Sequence, residues 1–172
     1  MNNPLDEGNL QFDFSACNTV ERFDDIRINP GGMKSVDFVA ESDEYMYFIE
    51  IKDFQNPNAP PQQREEDKNM LIAAATSKEK VVFNLEMGEK IKDSLLRKYS
   101  LGEKFTKKVV FLLLINLDKL GERERGMLKA RISGHVPLGL NDSRYSEFTS
   151  ISFDLVNAER LKSYGIICTA KR

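Results

Sequence analysis

A chain of 172 residues with 41% hydrophobic and 30% charged side chains has the apolar content of one folded domain and lies outside the composition of disordered segments. Its 25 basic and 27 acidic residues leave a net charge of −2, which excludes the broadly basic character of a nucleic-acid coat protein. Cys17 and Cys168 stand far apart and His135 is the only histidine, so neither a zinc ribbon nor a disulfide scaffold is indicated.

Residues 1–8 are polar and acidic, without the basic start and apolar run of a signal peptide. No apolar stretch approaches the roughly 18 residues of a membrane helix, so a cytoplasmic protein without a membrane partner is expected. Residues 16–25 carry a short helical pattern, Asn29-Pro30-Gly31-Gly32 reads as a turn, and residues 35–40 and 45–52 read as strands. Residues 55–63 contain Pro57, Pro60 and Pro61 and predict a surface loop. Two helices are predicted over 65–76 and 82–99, with Leu85, Ile91, Leu95 and Leu96 at helical steps.

Residues 109–115 are a continuous apolar run, the pattern of a strand buried on both faces at the centre of a sheet. A helix over 121–133, a strand over 148–155, a short helix over 157–164 capped by Asn157 and a last strand over 165–169 complete the chain. Residues 1–172 thus read as a single α/β domain with a central sheet carrying helices.

The informative stretch is residues 33–54, two strand-like runs about the polar turn Ser42-Asp43-Glu44. With the turn centred between Asp43 and Glu44, Val39 faces Phe48 and Asp37 faces Glu50, and opposed residues sit about 4.5–5.5 Å apart on one face. Lys52 shares the face of Glu50, while Ile49 and Ile51 take the other. Opposed carboxylates repel, so a cation is expected between them. Mg²⁺ or Mn²⁺ binds through one or two carboxylates while keeping several waters, and Lys52 beside it could orient or deprotonate a water or offset charge on a phosphate.

Asp37 followed thirteen residues later by Glu50-Ile51-Lys52, on adjacent apolar strands, resembles the PD-(D/E)xK nuclease superfamily of restriction endonucleases, resolvases and repair nucleases. The resemblance implies a restriction-endonuclease-like mixed central sheet flanked by helices, with an α-β-β-β-α-β core. It implies a metal-dependent nuclease, with DNA ahead of RNA as substrate. Asp37 and Glu50 would be ligands to Mg²⁺ or Mn²⁺, the Ile51 backbone carbonyl a further ligand, and Lys52 the catalytic lysine. A Glu on the first helix joins the metal in many members, for which Glu21 is the candidate and Asp24 and Asp25 are rivals. Gln62 or Gln63 would match a Gln that some members carry on the following helix. A homodimer or a larger defence or repair complex is the implied assembly. Val36 stands where the motif's proline would be.

Two blander readings compete. The superfamily includes catalytically silent members that serve as binding or assembly subunits. Asp37, Glu50 and Lys52 could equally form a solvated surface network, although a simple Lys52 ion pair leaves the second carboxylate uncompensated. His135 reads as a loop or helix-end residue, Asp53 as a cap on the following turn, and the cysteines as small core hydrophobes.

Charge is unevenly divided. Residues 1–50 hold 3 basic and 11 acidic side chains, residues 78–108 hold 9 and 5, and residues 119–135 hold 5 and 2. The basic stretches, including Lys78, Lys80, Lys90, Lys98 and Lys108, read either as a phosphate-binding flank or as the wet faces of helices.

Overall fold

Alternating apolar residues about the turn at 42–44 make a hairpin, and in the computed structural model this hairpin organises the molecule. The structure describes residues 4–25, 31–77, 81–118, 120–145, 148 and 150–171. Strand β4 (Phe38–Glu41) pairs antiparallel with β5 (Tyr45–Asp53), with Val39 opposite Phe48 as the turn requires. Strand β3 (Thr19–Arg22) pairs on the outer side of β4. Strands β6 (Lys108–Asn116) and β7 (Ile151–Val156) extend β5 in parallel, giving the order β3-β4-β5-β6-β7.

A parallel pair needs a long crossover. Helices α1 (Pro61–Thr76) and α2 (Val82–Ser100) supply it between β5 and β6, and α3 (Glu122–Ser133) supplies it between β6 and β7. All three pack on one face of the sheet, over Val39, Phe48, Phe111, Leu113 and Phe153. The opposite face, with Phe38, Ile49, Leu112 and Leu114, is covered by a second sheet and by the short helix α4 (Ala158–Leu161). That sheet is β1 (Leu5–Glu7), β2 (Leu10–Asp13) and β8 (Ile167–Ala170), in the order β1-β2-β8. Residues 109–115 of β6 are all buried. Each such side chain contributes about 1.5–3 kcal/mol relative to exposure, which offsets the cost of burying charge on the neighbouring strand β5.

The mixed α/β class is therefore as expected, with three local differences. Residues 16–25 form no helix: Thr19–Arg22 is the edge strand β3, where pairing with β4 outweighs the weak helical pattern. Helix α1 begins at Pro61 rather than at residue 65, because a proline's fixed φ and missing N–H suit the first helical position. The last strand joins β2 in the small sheet and not the central one. Asn157 caps α4 as expected, its Oδ1 accepting the Arg160 N–H at 2.8 Å.

Cys17 and Cys168 are buried, and burial pushes the Cys168 thiol up to about 11. Gly31 and Gly32 form a turn, while Asn29 and Pro30 lie outside the described residues, as do Lys78 and Lys80. Among the described residues no helix is long and apolar enough to cross a membrane.

Candidate functional site

Side-chain alternation sends Glu50 and Lys52 to the helix-covered face with Phe48, and the structure brings both together with Asp37 at the open end of the hairpin. Asp37 stands one residue before β4, where the ladder ends at the Phe38–Ile49 pair. Its Oδ2 takes over the role of a strand partner, accepting the Ile51 N–H at 2.6 Å. In an extended strand the N–H and C=O of one residue leave on the same side, so the Ile51 carbonyl also faces Asp37.

Asp37 and Glu50 are 6% and 4% exposed. Burial first, and the Glu50 charge second, push the Asp37 carboxyl up to about 7, against the pull of Lys90 and the Ile51 N–H. Lys52 Nζ lies 2.8 Å from Glu50 Oε1, and Lys90 Nζ of α2 lies 2.7 Å from the same oxygen. Burial works against the Lys52 charge, but Glu50 and Asp37 outweigh it and hold the ammonium above its ordinary pKa. Glu50 Oε2 is buried without a hydrogen-bond partner among the described residues. Two carboxylates thus sit beneath two ammonium groups whose side chains are 27% and 16% exposed.

Helix α2 builds the rest of the site. Lys90, Ser94, Arg97 and Lys98 recur at helical steps and share one face. Ser94 Oγ accepts the Val36 N–H at 3.0 Å, which fixes the backbone just before Asp37. Asp93 Oδ2 accepts the Lys34 N–H at 2.9 Å. Arg97 donates to the Phe23 carbonyl at 2.6 Å and lies 4.0 Å from the centre of the Phe23 ring. This polar stripe borders the buried row Met87, Ile91 and Leu95. Leu96, read with the apolar row, is instead 56% exposed.

The remaining candidates are placed elsewhere. Glu21 lies on strand β3 and not on a helix; it shares the helix-covered face opposite Val39, but its carboxylate pairs with Lys98. Asp24 lies 3.8 Å from Arg22, and Asp24 and Asp25 both follow β3 outside any helix. Gln62 and Gln63 direct their amides along α1, to Glu66 and Asp67. Asp53 caps the following turn, its Oδ1 accepting the Gln55 N–H at 3.2 Å, and it also accepts from Asn116 at 2.7 Å. His135 closes the end of α3 through its backbone N–H to Ile132.

Within the basic stretch, four lysines meet acidic residues of β3, the hairpin and its turn: Lys98 pairs with Glu21, Lys107 with Glu41, and Lys90 with Glu50, while Lys108 approaches Glu44. A hollow of about 830 Å³ lies at the carboxyl ends of β6 and β7 beside Asn116, Asp118, Arg125 and Arg160, and none of Asp37, Glu50 or Lys52 lines it. A void of about 10 Å³ abuts Glu50, under Val36, Met87 and Ile91, with room for about one water.

Chemically, the donor set suits a hard cation that keeps most of its waters: two carboxylates, one with an unpaired buried oxygen, and a backbone carbonyl. Among the described residues no group of three or more His, Cys, Asp or Glu side chains gathers at a metal-binding spacing, which sets this site apart from a closed zinc or calcium cage. Comparison with protein-family models, with curated proteins and with solved structures gives no match.

Proposed function

We propose that the chain is a divalent-metal-dependent nuclease of the PD-(D/E)xK type, hydrolysing phosphodiester bonds, with DNA as the first substrate to test. The observation that carries this proposal is the burial of Asp37 and Glu50 side by side with Lys52 2.8 Å from Glu50. The element order β3-β4-β5-helix-β6 supports a restriction-endonuclease-like core, with no helix ahead of β3 among the described residues. Asp37, Glu50 and the Ile51 carbonyl would hold Mg²⁺ or Mn²⁺. Such an ion, when bound, supplies an acidified water and charge compensation for the phosphate. The Ile51 N–H orients Asp37, and Glu50 orients Lys52. Lys52, whose ammonium Glu50 and Asp37 hold above its ordinary pKa, would offer a positive charge toward the phosphate.

A second reading has its own observation. Lys52 and Lys90 carry two positive charges against the carboxylates of Glu50 and its neighbour Asp37, so the network is balanced without a metal. That balance favours a catalytically silent binding or assembly subunit. Purified protein assayed on single- and double-stranded DNA and on RNA, with Mn²⁺ or EDTA, separates the two. Cleavage that needs Mn²⁺ and is lost in Asp37→Ala and Lys52→Ala is the expected result. Cleavage that survives both substitutions removes the nuclease assignment; divalent binding and cleavage both absent in a folded protein select the silent subunit.

A further inference from the structure

We propose that Lys90 is the resident counter-ion of this site, holding the Glu50 oxygen that a divalent cation must take and yielding it when the cation enters. The inference deepens the nuclease reading and rests on it. Two ammonium groups converge on Glu50 Oε1, at 2.8 Å from Lys52 and 2.7 Å from Lys90, while Oε2 has no partner among the described residues. Between them they balance the charges of Glu50 and its neighbour Asp37.

They differ in how they are tethered. Lys52 is two residues from Glu50 on the same strand and stays on its face whatever enters the site. Lys90 comes from α2 on the long, flexible stem of a lysine, and it spans the gap between helix and sheet. With both carboxylates ionised and both lysines in place the site is neutral, so a divalent ion added to it creates an unbalanced double charge in a largely buried setting. Withdrawal of Lys90 removes one positive charge from the first neighbours of the cation. It also leaves an ammonium at the mouth of the site, free to meet a phosphodiester. Cation binding to the protein alone is therefore weaker than its donor set would allow.

The test is Mn²⁺ binding by titration calorimetry on the full chain, without nucleic acid, at a pH well above the Asp37 titration. Wild type is compared with Lys90→Met, Lys90→Gln, Lys90→Arg and Asp37→Asn. Lys90→Met and Lys90→Gln are expected to bind Mn²⁺ about tenfold more tightly than wild type, Lys90→Arg to stay near wild type, and Asp37→Asn to abolish the signal. A lysine serving only to support the fold would weaken binding when removed, whereas removal of a counter-ion whose charge opposes the cation raises affinity. Unchanged or weaker binding in both neutral variants, with wild-type binding intact and cooperative unfolding retained, overturns the role of Lys90 while leaving the nuclease reading standing. Absence of Mn²⁺ binding in wild type and in both neutral variants, or binding unaffected by Asp37→Asn, overturns both.

Discussion

Replacing Asp37 by Asn should reverse how the stability of this protein depends on pH. In the folded chain the Asp37 carboxyl titrates near 7, pushed up by burial and then by Glu50, whereas in the unfolded chain it returns to about 3.8. Between those values the folded state holds a proton that the unfolded state has released. Stability contributed by this group is therefore complete below about pH 4 and is lost as pH rises through 7. Over the whole window the loss is about 4 kcal/mol; between pH 5 and pH 8 it is about 2–3 kcal/mol. Asn keeps a carbonyl oxygen able to accept the Ile51 N–H, so the variant removes the ionisation while retaining that hydrogen bond. Denaturant unfolding of wild type and Asp37→Asn at pH 5 and pH 8 measures the difference. The variant should gain about 2–3 kcal/mol relative to wild type on going to the higher pH, roughly 5–10 °C in Tm for a chain of this size. Parallel pH profiles of the two proteins would refute a buried, mostly protonated Asp37. So would a wild type that gains on the variant as pH rises.

Gly88→Ala should destabilise despite the roughly 1 kcal/mol that alanine offers a helix interior, because the added Cβ would sit 2.5 Å from the Cβ of His135 and 3.1 Å from its carbonyl oxygen. A net loss of about 1–2 kcal/mol is expected, and a raised Tm would show that α2 and the end of α3 are not in close contact. Asp154 accepts from Lys129 at 2.7 Å, Arg160 at 2.5 Å and Tyr164 at 2.8 Å. Asp154→Asn should cost about 2 kcal/mol at neutral pH, below the figure for a broken buried pair, because the Lys129 and Arg160 side chains are 41% and 59% exposed and can return to water. Burial works against its ionisation, yet those three hydrogen bonds hold the Asp154 carboxyl below its ordinary range. Its contribution should accordingly be present at neutral pH and fade on acidification, which acid unfolding of the pair of proteins measures. Glu21→Gln should leave cleavage within about twofold of wild type, since the Glu21 carboxylate is held by Lys98 two strands from Glu50; loss of activity as deep as that of Asp37→Ala would restore it as a metal ligand.

Much of the hairpin was legible in the residues themselves. A polar turn between two apolar runs sets the register, and the strand period of two then puts Glu50 and Lys52 on one face and Ile49 and Ile51 on the other. Local chemistry also marked Asn157 as a cap and the run at 109–115 as the doubly covered strand. Residues 16–25 were misread because an edge strand owes its conformation to the partner it pairs with, and that partner lies across the turn at 31–32. The short β1 and β2 strands carry no legible local pattern for the same reason, β2 being held by β8 from the far end of the chain and β1 by β2.

Charge was the feature most altered by folding. Composition and position alone show an acidic first third and a basic stretch downstream, consistent with a metal site beside a phosphate-binding flank. Folding lays α2 and the start of β6 against the hairpin, and Lys90, Lys98 and Lys107 meet Glu50, Glu21 and Glu41. By itself the sequence determined the two strands of the hairpin, their pairing about the turn and the identity of the two opposed carboxylates, because these follow from alternation over a few neighbouring residues. Only the tertiary structure decided that a lysine forty positions away neutralises one carboxylate and that burial leaves the other near its titration point. Burial and long-range charge pairing depend on which surfaces are brought together, and no local pattern of residues carries that information.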